Sequence, residues 1–83
     1  MADIEIGQVI HYFSRAGVAG IKLTATLRQG DTIHIVGHTT DLTQPVESMQ
    51  LENQSIPEAQ PGQEIGIRIK DRVRPGDRVY KVG

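Results

Sequence analysis

Four basic side chains in the last third of the chain are the residues best suited to bind a ligand. They are Arg68, Lys70, Arg72 and Arg74. From Ile65 to Lys70 apolar and polar residues alternate, which places the cations on one face of a strand and the isoleucines on the other. Cations at every second strand position lie ~6.6 Å apart, a spacing that can follow successive phosphates. The sequence therefore predicts an exposed basic edge that contacts RNA or a ribonucleoprotein.

The charge balance leaves a second class of partner open. Nine basic and ten acidic residues give the 83-residue chain a net charge of −1, whereas dedicated nucleic-acid binders are usually basic. Three basic and eight acidic residues up to Glu64 give −5, and six basic and two acidic residues from Ile65 onward give +4. Cross-strand pairing of the cations with Glu47, Glu52 or Glu64 would leave no net positive surface. The chain would then be a protein–protein interaction module or accessory subunit without nucleic-acid binding.

The other reactive residue types form no recognisable catalytic or metal-binding pattern. His11, His34 and His38 lack the spacing of three or four convergent ligands, so we expect ordinary surface imidazoles. Cysteine is absent, which excludes disulfides and thiolate metal sites. No serine lies in a known nucleophile motif, and the carboxylates are scattered rather than paired. The sequence therefore predicts no enzymatic activity, no metal and no cofactor.

Short strands separated by turns must position the basic residues. Alternating patterns predict six strands, which span residues 4–13, 18–25, 31–36, 43–53, 64–70 and 78–82. Pro45 implies an edge or a bulge, and Gly20 suggests close approach of another backbone. Residues 1–83 are thus predicted to form one all-β domain, a small closed or partly open antiparallel β-barrel, with an open sandwich as the main alternative.

The strand phase also predicts the core and the turns. One set of residues should be buried together, namely Ile33, Ile35, Ile65, Ile67, Ile69 and Val79. Gly30, Gly62 and Gly76 should lie in tight turns, with positive φ in at least one of them. Tyr12 and Phe13 are adjacent and face opposite ways, so we expect one ring to fill the barrel and the other to cap its rim.

Three glycine-containing segments resemble domain 2 of the translation GTPases, the β-barrel domain of elongation factor Tu, elongation factor G and initiation factor 2. The segments are Leu27-x-x-Gly30-Asp31-x-Ile33-x-Ile35, Ala59-x-x-Gly62-x-x-Ile65-Gly66-Ile67 and Gly76-Asp77-x-Val79. The chain is also similar to stand-alone elongation-factor-like proteins that consist of this domain. The resemblance covers about residues 5–82 and implies a non-catalytic binding module that acts in translation.

Two departures limit what the resemblance implies. The chain has no Gly-x-x-x-x-Gly-Lys-Ser/Thr phosphate loop, so GTP is not expected as a ligand. Leu23 occupies the place of an acidic residue that holds the aminoacyl end of tRNA in elongation factor Tu, so that activity is not carried over. The amino-terminal residues lack signal-peptide character, and no apolar run approaches the ~20 residues needed to cross a bilayer. We therefore expect a cytoplasmic protein that does not bind membranes.

Overall fold

The computed structural model describes residues 3–82, and their secondary structure consists of ten short β-strands. The strands are β1 (Ile4–Phe13), β2 (Val18–Leu23), β3 (Leu27–Arg28), β4 (Thr32–Val36), β5 (Asp41–Pro45), β6 (Met49–Leu51), β7 (Gln54–Ser55), β8 (Glu58–Ala59), β9 (Glu64–Arg68) and β10 (Arg78–Lys81). The predicted all-β class is confirmed. Within residues 3–82, no helix has the length and apolar character required to span a membrane.

Eight of the strands form one curled antiparallel sheet in the order β5-β4-β10-β1-β2-β9-β6-β7. The remaining two, β3 and β8, form a separate ribbon in which Leu27 is the partner of Ala59. Strands β5 and β7 are the two ends of the large sheet, so of the two predicted forms of the barrel, closed or partly open, the closed form is wrong. The architecture is a half-barrel with an open edge at β5.

The predicted six-strand count is also wrong, because the segment predicted as one strand over residues 43–53 is interrupted twice. Strand β5 ends at Pro45, and residues 46–48 separate it from β6, although the N–H of Val46 still donates to the carbonyl of Asp31 at 2.7 Å. Glu52 and Asn53 then adopt positive φ and separate β6 from β7. Strand β8 lies between Pro57 and Pro61, and neither proline prevents Glu58 and Ala59 from pairing with β3.

The predicted core is confirmed. The six residues singled out by strand phase are at most 7% exposed, and they belong to one apolar cluster that also includes Ile6, Ile21, Leu23 and Met49. Strands β2, β4 and β9 contribute every second side chain to this cluster, as the alternation requires. The register follows from the same pattern, since Ile21 lies opposite Ile65 on the buried face.

Three turns of the same construction connect the strands, and we refer to them as the glycine turns. They cover residues 28–31, 60–63 and 74–77, and their glycines have φ of 97°, 89° and 97°. In each turn the N–H of the first residue donates to the side chain of the fourth: Arg28 to Asp31 at 2.9 Å, Gln60 to Gln63 at 2.8 Å and Arg74 to Asp77 at 2.9 Å. The predicted positive φ is thus confirmed at Gly30, Gly62 and Gly76.

Candidate functional site

The four predicted basic residues are all exposed, but they do not form one continuous strand face. Strand β9 ends at Arg68, and Lys70, Arg72 and Arg74 lie in the loop that leads to β10. The regular spacing expected along a strand therefore does not extend beyond Arg68. Exposure of the basic set is confirmed, whereas its predicted geometry is wrong because the chain leaves the sheet two residues early.

Two clefts divide the basic set between them along the open edge of β5. Arg68 and Lys70 line a cleft of 450 Å³ together with Gln44 and Glu47. Arg72 and Arg74 line another of 430 Å³, which also contains Asp41 and Asp71. Each cleft thus carries both signs of charge, which weakens the attraction that either would exert on a polyanion.

Gln44, which lines the first of these clefts, connects β5 to residues 68–70 through its side chain. Its amide nitrogen donates to the carbonyl of Arg68 at 2.9 Å, and its amide oxygen accepts from the N–H of Lys70 at 2.8 Å. Gln44 is 5% exposed, so both hydrogen bonds lie inside the protein. We call this boundary between β5 and residues 68–74 the seam. The seam is closed by a side chain and not by a β-ladder.

The predicted alternative, in which nearby acids neutralise the basic set, is not what the described residues show. Apart from the contacts of His34, the ion pairs among the described residues join Arg28 to Glu58 at 2.8 Å, Arg78 to Glu5 at 3.0 Å and Lys81 to Asp31 at 3.5 Å. Glu47, Glu52 and Glu64 form no ion pair within residues 3–82. Both the four cations and these three acids therefore present unneutralised charge to solvent.

A second surface feature lies on the outer face of β1, β2 and β9, and we call it the glycine groove. It has a volume of 460 Å³, and the residues that define it are Phe13, Val18, Gly20, Glu52, Glu64 and Gly66. Gly20 and Gly66 are register partners in the centre of the sheet, so this part of the floor is bare backbone, with the side chain of His11 beside Gly20. Phe13 and Val18 supply an apolar wall, and the two glutamates supply an acidic wall.

The aromatic prediction is corrected by this groove. Phe13 is 55% exposed and points away from the core, with its ring 6.0 Å from that of His11 at an angle of 43°. Tyr12 is partly buried against the apolar cluster. The outward ring therefore lies on an open sheet face and not at the rim of a barrel, because the sheet does not close.

The turn that presents Glu52 to the glycine groove has unusual backbone geometry. Leu51 pairs with Gln54, and the two residues between them have φ of 52° at Glu52 and 67° at Asn53. A two-residue hairpin with positive φ at both positions is a type I′ turn. Asparagine tolerates this conformation, but glutamate adopts it at a steric cost of about 1–2 kcal/mol.

His34 is not the isolated surface imidazole that the sequence predicts. Its Nε2 lies 2.5 Å from a carboxylate oxygen of Asp41, and its Nδ1 lies 3.6 Å from one of Asp3. The hydrogen bond to Asp41 raises the pKa of His34 above its ordinary value of 6.5, and partial burial opposes that effect. No local pattern in the sequence indicates this contact, because it depends on the β4–β5 register, in which His34 pairs with Thr43 and Asp41 lies two residues from Thr43 along β5.

No group of three or more His, Cys, Asp or Glu side chains within residues 3–82 is arranged to hold a metal ion. The polar side chains that are buried or half-buried serve the fold instead. Asp31, Gln63 and Asp77 accept hydrogen bonds in the glycine turns, and Gln44 closes the seam. The chemical character of the described surface is therefore that of two mixed-charge clefts and one groove with an apolar and an acidic wall.

Comparison with known proteins gives relatives among proteins named as proteases. The chain is 41% identical over 78 residues to an uncharacterized protease of Methanocaldococcus jannaschii, and 42% identical over 80 residues to a collagenase of Porphyromonas gingivalis. These matches cover 93% and 94% of this chain but only 19% of each relative. The chain thus spans about a fifth of the length of the curated relatives it matches. No protein-family model matches it.

Solved structures agree with the fold found for this chain. A crystal structure of the C-terminal domain of a Geobacillus thermoleovorans protein classed with the U32 peptidases has a TM-score of 0.89 and 23% sequence identity. The match covers 96% of this chain and 93% of that domain. At this level of identity the match establishes the fold.

The resemblance to domain 2 of the translation GTPases is therefore corrected, together with the role in translation that it implied. The relatives in sequence are named protease and collagenase, and the neighbour in structure is a U32 peptidase C-terminal domain. The three segments that suggested a translation factor are built on the glycine turns, and a glycine followed by a polar residue before a strand is general turn chemistry. The comparisons thus show sequence similarity to proteins named protease and collagenase, and the fold of a U32 peptidase C-terminal domain.

Proposed function

We propose that this chain is a non-catalytic accessory domain of the type found at the C-terminal end of U32 peptidases, and that it holds polypeptide for a peptidase. The observation that carries the proposal is the pattern of coverage. Nearly the whole chain matches about a fifth of each protease relative, and its fold matches that of an isolated C-terminal domain. A segment of this size within a larger enzyme is best suited to binding, since its buried and half-buried polar groups support turns and the seam.

The glycine groove supports polypeptide as the class of ligand. Its floor of backbone, its exposed phenyl ring and its two glutamates match an extended peptide better than a polyanion. The prediction that Arg68, Lys70, Arg72 and Arg74 contact RNA is separate from the discarded role in translation and stays a prediction, as does the cytoplasmic location. Four phosphate contacts to single-stranded RNA would give a log–log salt slope of roughly −3.

A domain exchange tests the proposed function. The matching 80-residue segment of the P. gingivalis collagenase is deleted in one variant and replaced by this chain in another. Cleavage of soluble collagen is then followed kinetically for the parent, both variants and the purified chain alone. We expect the deletion to raise KM more than it lowers kcat, and the replacement to restore KM. Cleavage by the chain alone, or a replacement no better than the deletion, would contradict the proposal.

The RNA prediction is tested in parallel on the isolated chain. Affinity for single-stranded RNA is measured for the wild type and for the Arg68→Glu/Lys70→Glu variant at two salt concentrations. A salt-dependent affinity that the double variant loses would make RNA the ligand of the basic set. Equal affinity for both proteins would remove the basic set as an RNA site.

A further inference from the structure

We propose that the glycine groove binds an extended polypeptide segment in which a lysine or arginine lies next to an apolar residue. This deepens the proposed function, on which it rests for its biological setting, by naming the surface and the class of peptide. The two groove walls define that class: the apolar wall of Phe13 and Val18 receives the apolar residue, and Glu52 and Glu64 receive the cation.

The paired glycines of the floor indicate a backbone ligand. Neither Gly20 nor Gly66 has positive φ, so the strand conformation itself does not require glycine at either position. A Cβ at Gly66 would lie 3.2 Å from a methyl carbon of Val18, and one at Gly20 would lie 3.3 Å from the Cβ of His11. Both contacts are tight, and the Cβ of His11 can shift only together with its backbone, so local packing also favours glycine at position 20. Glycines inside strands often mark the place where another chain approaches closely.

The charge of the opposite wall selects a cationic residue. Glu52 and Glu64 are exposed, and within residues 3–82 neither forms an ion pair. Lys22 is the register partner of Glu64 but lies outside the groove lining. A lysine or arginine of the ligand placed between the two carboxylates would be attracted by both of them.

The strained turn supplies an independent reason to assign the acidic wall to binding. Glu52 holds positive φ where asparagine or glycine would be more stable, and the same residue lines the groove. A conformation that is unfavourable for folding is often retained at a position that contacts a ligand. Replacing Glu52 by asparagine should therefore raise the melting temperature and weaken peptide binding at the same time.

The lining of the glycine groove suits a cationic peptide better than a nucleic acid. Single-stranded nucleic acids are held by cations that follow the backbone together with exposed aromatic rings. The one strongly exposed aromatic ring among the described residues, Phe13, shares its groove with two carboxylates, which would repel phosphates. Its setting therefore favours a cationic peptide over RNA.

The test uses the whole chain and a short fluorescein-labelled peptide that alternates phenylalanine, proline and lysine. Fluorescence anisotropy near neutral pH and low salt gives its affinity. A second peptide carries glutamate in place of each lysine, and a single-stranded RNA of similar length is the third probe. We expect the basic peptide to bind at least about tenfold tighter than its charge-reversed form.

Variants locate the site. Glu52→Asn and Glu64→Gln should each weaken the basic peptide by roughly threefold, and the double variant by about tenfold. The matched control is Glu47→Gln, an exposed carboxylate in a different cleft, which should bind as the wild type does. Because Glu52→Asn is expected to raise the melting temperature, its weaker binding cannot be attributed to unfolding.

Three outcomes would overturn the inference: equal affinity for the two peptides, unchanged affinity in the double variant, or binding of RNA without binding of the basic peptide. The result is separable from that of the domain exchange. A collagenase that this chain restores, and that Glu52→Asn/Glu64→Gln does not impair, would keep the proposed function and discard the groove. Selective peptide binding with a failed exchange would keep the groove and discard the proposed function.

Discussion

The glycine turns and the β6–β7 turn both require residues with positive φ, but they have different residue types at those positions. In the glycine turns, positive φ falls on a residue without Cβ, and the fourth residue's side chain accepts a hydrogen bond from the first residue's N–H. In the β6–β7 turn, positive φ falls on Glu52 and Asn53. The first construction favours stability, because geometry, residue type and hydrogen bonding agree. The second keeps a strained glutamate beside a groove, which suggests selection for something other than stability.

The largest effect is expected at Asp77, the most buried of the three turn acceptors. Its side chain accepts from the N–H of Arg74 at 2.9 Å, and the residue is 6% exposed. Asp77→Ala leaves a buried N–H without its acceptor and should lower the free energy of unfolding by about 2 kcal/mol. Urea denaturation measures the change. Asp31→Ala, whose corresponding hydrogen bond is exposed, is the comparison and should lose about half as much even though it also removes the ion pair with Lys81.

If Asp31→Ala lowered the free energy of unfolding as much as Asp77→Ala does, burial would not determine how much each glycine turn contributes to stability. Asp77→Asn refines the comparison, because its amide oxygen can still accept the Arg74 N–H. That variant should retain more of the stability than Asp77→Ala does.

A smaller effect is expected from the glycines themselves. Gly30→Val, Gly62→Val and Gly76→Val each place a branched side chain at φ near +90°, which should lower the free energy of unfolding by roughly 1–2 kcal/mol. At all three positions a Cβ would meet no other atom within 4 Å, so strain in the backbone is the only expected cause. Melting midpoints equal to that of the parent would show that these turns tolerate substitution.

The β6–β7 turn should respond in the opposite direction. Glu52→Asn replaces a residue disfavoured at positive φ by one that tolerates it, so the free energy of unfolding should increase by up to about 1 kcal/mol. Thermal denaturation near neutral pH measures the change. A loss of stability would mean that the glutamate side chain supports the fold, and the contrast with the glycine turns would disappear.

The smallest effect is expected at His34, where the stabilisation depends on pH. Because the folded-state pKa is raised, the contribution is present below the unfolded value of about 6.5 and is lost as pH rises through the folded value. His34→Gln should therefore be less stable than the wild type by under about 1 kcal/mol near pH 6, and nearly as stable at about pH 9. A stability difference that grows with pH would contradict this assignment.

The core and the glycine turns could be predicted because both are local in sequence. Alternation fixes which face of a strand is buried, as at Ile65 and Ile67, and a glycine before a polar residue marks a turn. The relatives could not be identified from the same turns, because many β-proteins use them. Neither Gly20 nor Gly66 by itself predicts the glycine groove, because the two glycines come together only when β2 pairs with β9. The position of the basic loop was missed for a similar reason, because nothing local marks the end of β9 at Arg68.

The seam has a consequence for motion. Along a β-ladder, hydrogen bonds break one after another, so partial opening leaves most of the ladder intact. At the seam, the hydrogen bonds to Arg68 and Lys70 both belong to the amide of Gln44, and one rotation of that side chain releases them together. We expect the amide proton of Lys70 to exchange with solvent through this local opening, well before those of the central strands. Gln44→Leu would preserve the buried volume and accelerate that exchange, and NMR-detected hydrogen exchange would register it as loss of protection confined to one side of the half-barrel.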